Sequence, residues 1–233
     1  MAMDISVLYE DNHLLVVEKP INIPVQEDST GDRDLLTMLK ADLKVRYQKP
    51  GNVFLALVHR LDRPVGGVMV FAKTSKAASR LADQLRQQKL TRKYLAVVRG
   101  VPRRKTARLE HYLVKDQRKN MVFAVSKEDK GAKKAVLEYT CLDQTDDLSL
   151  LSIQLFTGRS HQIRVQLSTI GHPLYGDQKY GHKLNKPGQQ IALWAYSLQF
   201  KHPTKDDILT IEAPPPPVYP WNIWPILNEW PLR

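Results

Sequence analysis

An α+β fold, with a mixed and mostly antiparallel sheet flanked by helices, is what this sequence predicts. Two observations carry the prediction. Short runs with an apolar residue at every second position recur along most of the chain, from Ile5 to Glu212. Between them lie three segments whose apolar residues fall three and four apart, the helical spacing. A third observation concerns domain count: the 233 residues contain no internal repeat, no low-complexity block and no convincing linker. At roughly 150 residues per domain that length allows one large domain or two small ones. A single domain over residues 1–233, with two halves around a central cleft, is expected.

Ile5–Tyr9 and Leu14–Glu18 read as strands joined by the turn residues Asp11 and Asn12. Lys19-Pro20 ends the second, and 21–31 reads as loop. Leu35, Leu36, Leu39 and Leu43 make 34–47 a helix, and Lys49-Pro50-Gly51-Asn52 is a turn. Val53–Val58 and Val68–Ala72 are short apolar strands on either side of a polar stretch. Thr74 or Ser75 caps the next helix, with Ala78, Leu81, Ala82 and Leu85 on its apolar face. Lys93–Val98 is a strand with Tyr94, Ala96 and Val98 on one face. LEHYLV, NMVFAV, AVLEYTCL and LSLLSIQLF, within 106–157, form a meander or mixed sheet. Gly158–Gly171 returns to helical spacing, with Ile163, Leu167 and Ile170 apolar and His161, Arg164 and Ser168 on the opposite, polar side. Ile191–Phe200 and Ile208–Glu212 complete the strands. In residues 214–233 prolines interleave with Trp221, Trp224 and Trp230. The prolines forbid a regular helix or an inner strand, and the tryptophans argue against disorder. An extended tail packed on the body is expected.

The chain has 35 Lys and Arg against 24 Asp and Glu, a net charge of +11. Such a surface attracts phosphate backbones, acidic membranes or anionic metabolites, and it equally suits a merely basic soluble protein. Eight of these cations lie between Arg86 and Lys105 with no acidic residue among them: Arg86, Lys89, Arg92, Lys93, Arg99, Arg103, Arg104 and Lys105. They read either as a phosphate track or as solvated loops. The one cysteine, Cys141, forms no intrachain disulfide, supplies no zinc site and reads as a reduced core or sheet residue. No run approaches 18 apolar residues and no signal-peptide pattern opens the chain, so a reducing, cytoplasmic setting without a membrane span is expected.

Two constellations can carry chemistry. In His59-Arg60-Leu61-Asp62-Arg63 a carboxylate stands between two arginines, which favour its charged form. It suits a base or nucleophile, and it equally suits a structural Arg–Asp pair. In Thr157-Gly158-Arg159-Ser160-His161-Gln162-Ile163-Arg164, a glycine ahead of a helix start offers amides to a phosphate, with Arg159, His161 and Arg164 nearby. The bland counterpart is a wet amphipathic helix. Tyr94, beside the basic run, is either core or a base-stacking residue. No GxxxxGK[ST], GxGxxG or GxSxG pattern occurs, which disfavours nucleotide hydrolysis, nicotinamide chemistry and serine hydrolysis. A zinc deaminase lacks its cysteines.

In order along nearly the whole chain, YEDNHLLVVEKPINIPV (9–25), HRLDRPVGGVMVFAKT (59–74), KYLAVVRG (93–100) and TGRSHQIRVQLSTIGHPLYGDQKYG (157–181) resemble the RluA-like family of RNA pseudouridine synthases. The resemblance implies the catalytic fold of that family, a central RNA-binding cleft, and isomerisation of a uridine in structured ribosomal or transfer RNA. It implies no metal and no organic cofactor. Asp62 matches the family's essential aspartate, either a nucleophile on ribose or base or the promoter of a glycal intermediate. Tyr94 matches the tyrosine that stacks on the target base, and Arg164 the basic partner of the aspartate. His59, Arg60 and Arg63 are expected on the same loop as Asp62 as substrate-binding residues, His59 and Arg60 helping to hold or flip the nucleotide. Lys89, Arg92, Arg103, Arg159 and His161 are expected to hold flanking phosphates. A monomer is expected. Val65 and Gly66 stand where the family usually has Thr and Ser, and retained activity is expected. The match begins by about residue 5, which leaves no room before it for the S4-type domain of many relatives. A non-catalytic RNA-binding or chaperone protein on the same fold is the competing reading, and a basic structural protein of the ribosome the third.

Overall fold

The computed structural model describes residues 5–232. In chain order the elements are β1 (Val7–Glu10), β2 (Leu14–Lys19), α1 (Leu35–Arg46), β3 (Ala56–Leu57), β4 (Gly66–Ala72), α2 (Ser75–Arg86), β5 (Thr91–Arg99), β6 (Thr106–Asp116), β7 (Met121–Val125), β8 (Lys133–Gln144), β9 (Leu148–Leu155), α3 (Gln162–Thr169), β10 (Leu193–Lys201) and β11 (Ile208–Glu212), followed by two 3-10 turns. The fold is α+β, and the chain divides into two compact units: residues 5–91 with 197–213, and residues 92–196 with 214–232.

In the first unit β2 runs antiparallel to both β1 and β4, with Val16 opposite Val70. β4 is buried at every position, which is why its sequence is a continuous apolar run and not an alternation. β11 pairs antiparallel with the C-terminal part of β10, Leu209 opposite Phe200. Leu14, Val16, Val68, Val70, Leu81 and Phe200 form the core between these strands and α2. Asp11 closes the β1–β2 turn by accepting from the amides of His13 and Leu14 at 2.7 and 2.8 Å, and from His202 Nε2 at 2.8 Å. Both helices begin at a side-chain cap: Asp34 accepts from Thr37 N at 3.0 Å and Thr74 from Ala77 N at 3.3 Å. Leu35, Leu39 and Leu43 give α1 one buried stripe. In α2 Ala77 and Leu81 are buried and Ala78 and Leu85 pack against the same core, while Ala82 of the expected face is exposed.

The expected strand Val53–Val58 shrinks to Ala56–Leu57, which pair with Ala72 and Phe71 of β4. The next β4 amide, Val70 N, donates instead to His59 Nε2 at 3.3 Å. A side chain continues the ladder in place of the backbone, and the chain is free to turn into the loop that bears Asp62.

In the second unit the order β5-β9-β8-β6-β7 is antiparallel throughout, Tyr94 lying opposite Ile153 and Leu109 opposite Leu137. Leu95 and Val97 face a cluster with Tyr175, Trp194, Trp221 and Trp224. Tyr94, Ala96 and Val98 therefore lie on the other face. Cys141 is buried in β8, next to an irregularity in the β8–β9 register. The tail is not extended: Trp221–Ile223 and Pro225–Glu229 are 3-10 turns. A three-residue turn puts Trp221 and Trp224 on one side, and both enter the core, at 5% and 1% exposure. Trp224→Ala should destabilise the protein by about 3–5 kcal/mol, read from urea unfolding; a loss below about 1 kcal/mol would show that the tail contributes little to the core.

Candidate active site

The HRLD loop belongs to the first unit and is held from beneath. Leu61 and Val65 are buried, and Val65 N donates to Asp62 O at 2.9 Å to close the turn. Under it lies Lys19, wholly buried at the end of β2. Its ammonium donates to the carbonyls of Pro20 (2.9 Å), Arg63 (3.0 Å) and Val65 (2.7 Å). Two of these carbonyls bracket Pro64 just after Asp62, so one buried cation fixes the loop on both sides of it. Burial pulls Lys19 down to about 7, against the opposing attraction of the Asp62 carboxylate and with a smaller lowering from Arg63. His59 is buried through its bond to Val70. Arg60 is exposed. The Arg63 guanidinium reaches Asn22 O and Thr30 Oγ1, each at 3.2 Å, and pairs with Asp32. Arg63 therefore braces residues 22–32.

The other expected residues lie in the second unit. Tyr94 is buried in β5 at 6% exposure. Arg92, two residues before it, lays its guanidinium across Gly158: a Cβ there would sit 2.7 Å from Arg92 Nη1. Gly158 thus serves close approach by an arginine, and the helix starts only at Gln162. The loop between them is closed from within. Gln162 Oε1 accepts from Thr157 Oγ1 at 2.7 Å and Arg159 N at 3.0 Å, while Gln162 Nε2 donates to Val136 O at 3.1 Å. Arg159 Nε donates to Lys134 O at 3.0 Å. His161 precedes the helix in a left-handed conformation, φ 50°, a sparsely used region for a non-glycine residue.

The wet face of the bland alternative for this helix does not form. Residues 162–167 are all buried, and Arg164 is 7% exposed. Arg164 instead carries its own counter-charge: Nε meets Asp177 Oδ2 at 2.8 Å and Nη2 meets Oδ1 at 2.9 Å. Asp177 Oδ1 also accepts from the amides of Lys179 and Tyr180. From the sequence alone Asp177 has no role and Lys19 reads only as the end of a strand. The signal for Lys19 was a lysine beside a proline at the end of an otherwise apolar strand.

The basic run from Arg86 to Lys105 is not one surface. Arg86 pairs with Asp83. Arg99 donates to Asn185 Oδ1 at 2.9 Å and Gln189 Oε1 at 3.3 Å and lies over the Tyr175 ring. Arg92 is turned onto Gly158. Lys93, Arg103, Arg104 and Lys105 remain exposed. So does Lys89, at a groove of about 750 Å³ lined also by Arg80, Lys201 and Lys205. Among the described residues no group of His, Cys, Asp and Glu is placed to hold a metal ion, and no helix is long and apolar enough to cross a membrane.

An α+β sheet that presents an HRLD loop in one unit and a buried arginine after a TGRSHQ loop in the other is the architecture of a pseudouridine synthase. The pattern described as RNA pseudouridylate synthase matches residues 13–169, and the chain belongs to the RluA-like family of these enzymes. It is an isomerase of uridine in RNA. A Bacillus subtilis (strain 168) protein named uncharacterized RNA pseudouridine synthase YhcT is 35% identical over 216 residues, 91% of this chain and 69% of its own length. A Buchnera aphidicola (subsp. Acyrthosiphon pisum) protein named ribosomal large subunit pseudouridine synthase C is 33% identical over 219 residues, 89% of this chain and 66% of its own. Among solved structures, human RNA pseudouridylate synthase domain containing 4 superposes with a TM-score of 0.76 at 25% identity, covering 91% of this chain and 88% of that one.

The Lys19 clamp has a pH signature. Its native value, about 7, lies below the ordinary 10.5, so between those limits the unfolded chain binds the extra proton. Stability from this group is complete above the upper limit and is lost as pH falls through the lower one. Unfolding free energy should rise between pH 7 and 9.5 by at most about 1.4 kcal/mol per pH unit more in the native protein than in Lys19→Met. Urea titrations of both proteins measure the difference, and parallel pH curves would contradict it.

Proposed function

We propose that this enzyme, acting as a monomer in the cytoplasm, converts a particular uridine of structured ribosomal or transfer RNA to pseudouridine, with Asp62 as the catalytic carboxylate. Tyr94 stacks on the target base and Arg164 supplies fixed positive charge. The observation that carries the assignment of Asp62 is the clamp beneath its loop, three carbonyls gathered on a buried Lys19. A reacting carboxylate is effective when its geometry is set before the substrate arrives. A relative named for the ribosomal large subunit supports ribosomal RNA as one substrate class.

The chemistry asks for few groups. The bond from uracil N1 to C1′ breaks, the base turns, and a bond from C5 to C1′ forms. The C5 hydrogen leaves as a proton and N1 takes one up, so no oxidant, reductant or group donor enters. Asp62 serves as a nucleophile on ribose or base, or as the group that promotes a glycal. The uridine is drawn out of its stack, which favours loops and weakly paired sites. Val65 and Gly66 are compatible with activity: both are buried, and Val65 contributes a carbonyl to Lys19.

Asp62→Asn should abolish pseudouridine formation while RNA affinity stays within about threefold, measured by tritium release from C5-labelled transcripts and by filter binding; equal conversion by both proteins would remove Asp62 from its role. Lys89→Ala and Arg103→Ala should each lower the slope of log affinity against log salt by about one, whereas Arg99→Ala, whose cation is already engaged, should leave the slope unchanged.

A further inference from the structure

Tyr180 gathers an unusual number of contacts for a half-buried side chain. Its hydroxyl accepts from Val122 N at 2.9 Å and lies 2.6 Å from His161 Nδ1. Its ring meets the His161 ring edge-on, centroids 5.6 Å apart, and lies under the Arg164 guanidinium at 5.2 Å. Its amide donates to Asp177, the carboxylate that holds Arg164, and its carbonyl accepts from Ser168 of α3. A tyrosine that merely fills a core needs its ring buried and its hydroxyl bonded once. Here the hydroxyl is bonded on two sides, and both residues packed on the ring belong to the expected site, His161 among the phosphate contacts and Arg164 as the basic partner of the aspartate.

We propose that Tyr180 is a positioning residue for the isomerisation, holding the His161 ring in its Nε2–H tautomer and seating the Arg164 guanidinium. The inference rests on the reading of His161 and Arg164 as site residues. The tautomer is part of the proposal: the Val122 amide takes one lone pair of the tyrosine oxygen, and the phenolic proton is directed to His161 Nδ1, which puts the imidazole hydrogen on Nε2. The left-handed backbone at His161 brings its ring to Tyr180, and the hydroxyl then removes the ring's rotational freedom. Val122 sits in β7, at the end of the strand order, where an outward amide needs a partner. Lys179 Nζ donates to Asn120 O at 2.9 Å and doubles that attachment. One side chain thus joins the β6–β7 hairpin to the histidine and the arginine.

Tyr180→Phe keeps the ring and deletes only the hydroxyl. With C5-tritiated ribosomal and transfer RNA transcripts as probes, it should lower kcat about tenfold and leave KM within about twofold. The double variant with His161→Ala should be no slower than His161→Ala alone, because the hydroxyl acts through that ring. Losses that multiply, a Tyr180→Phe enzyme with native kcat, a change in KM alone, or a His161→Ala enzyme at the native rate would each overturn the proposal. Asp62→Asn run in parallel tests the functional reading separately. Ring nitrogen-15 shifts of His161 need no turnover: they should report the Nε2–H tautomer in the native protein and a tautomer mixture in Tyr180→Phe. An Nδ1–H tautomer in the native protein, or identical shifts in both, would overturn the proposal whatever the activity shows.

Discussion

A guanidinium placed out of reach of water must bring its counter-charge with it, and in the second unit that requirement organises everything around α3. Arg164 and Asp177 are 7% and 1% exposed and meet through two parallel hydrogen bonds. Either charge alone at that depth would cost several kcal/mol. Asp177 spends its remaining capacity on two backbone amides, so the carboxylate is held by the backbone as well as by the arginine. Its position depends on the preceding glycine. Gly176 has φ +76°, and a Cβ there would fall 2.1 Å from Gln190 O. The turn that brings Asp177 to Arg164 is therefore closed to any residue with a side chain. The outcome is a positive charge with fixed orientation, which is the form in which charge can stabilise a reaction without rearranging.

The first unit meets the same difficulty with a different chemistry. Lys19 is buried among carbonyls, with no carboxylate bonded to it among the described residues. Neutral acceptors compensate an ammonium less than a carboxylate does, and burial lowers its proton affinity accordingly. The arrangement gains geometry in return. Two of the carbonyls belong to the turn after Asp62, so the cation acts as a rivet through the loop. His59 secures the other end by replacing a strand partner at Val70. A loop fastened to β4 through His59 and to β2 through Lys19 holds its side chains more narrowly than a free surface loop.

These devices explain which parts of the molecule were legible in the sequence. Strands and helices were readable because burial on one side leaves a period in the residues, as in Leu35, Leu39 and Leu43. The HRLD and TGRSHQIR blocks were readable as blocks. What could not be read is substitution of one kind of group for another. A histidine ring standing in for a backbone acceptor ends β3 early while its sequence still looks like strand. A helix buried on every side carries Gln162, Arg164 and Gln166 inward, so a polar residue there no longer marks a wet face. Tyr180 depends on Val122 and His161, partners 58 and 19 positions away that no local pattern connects to it.

Charge is where linear reading and folded arrangement part most widely. Cations adjacent in sequence are not adjacent in space when they lie on a strand, because successive side chains point to opposite faces. Of the run from Arg86 to Lys105, Arg99 is committed to Asn185, Gln189 and the ring of Tyr175, and Arg86 to Asp83. A cation already engaged by the protein releases fewer counterions on meeting a phosphate than a solvated one does. Within that run the solvated cations are therefore fewer than the sequence suggests: Lys93, the loop 103–105, and Lys89 at its groove. Contacts there orient a backbone without reading bases. On the proposed function, selection of one uridine among many then falls to the shape of the RNA and to how readily that base leaves its stack.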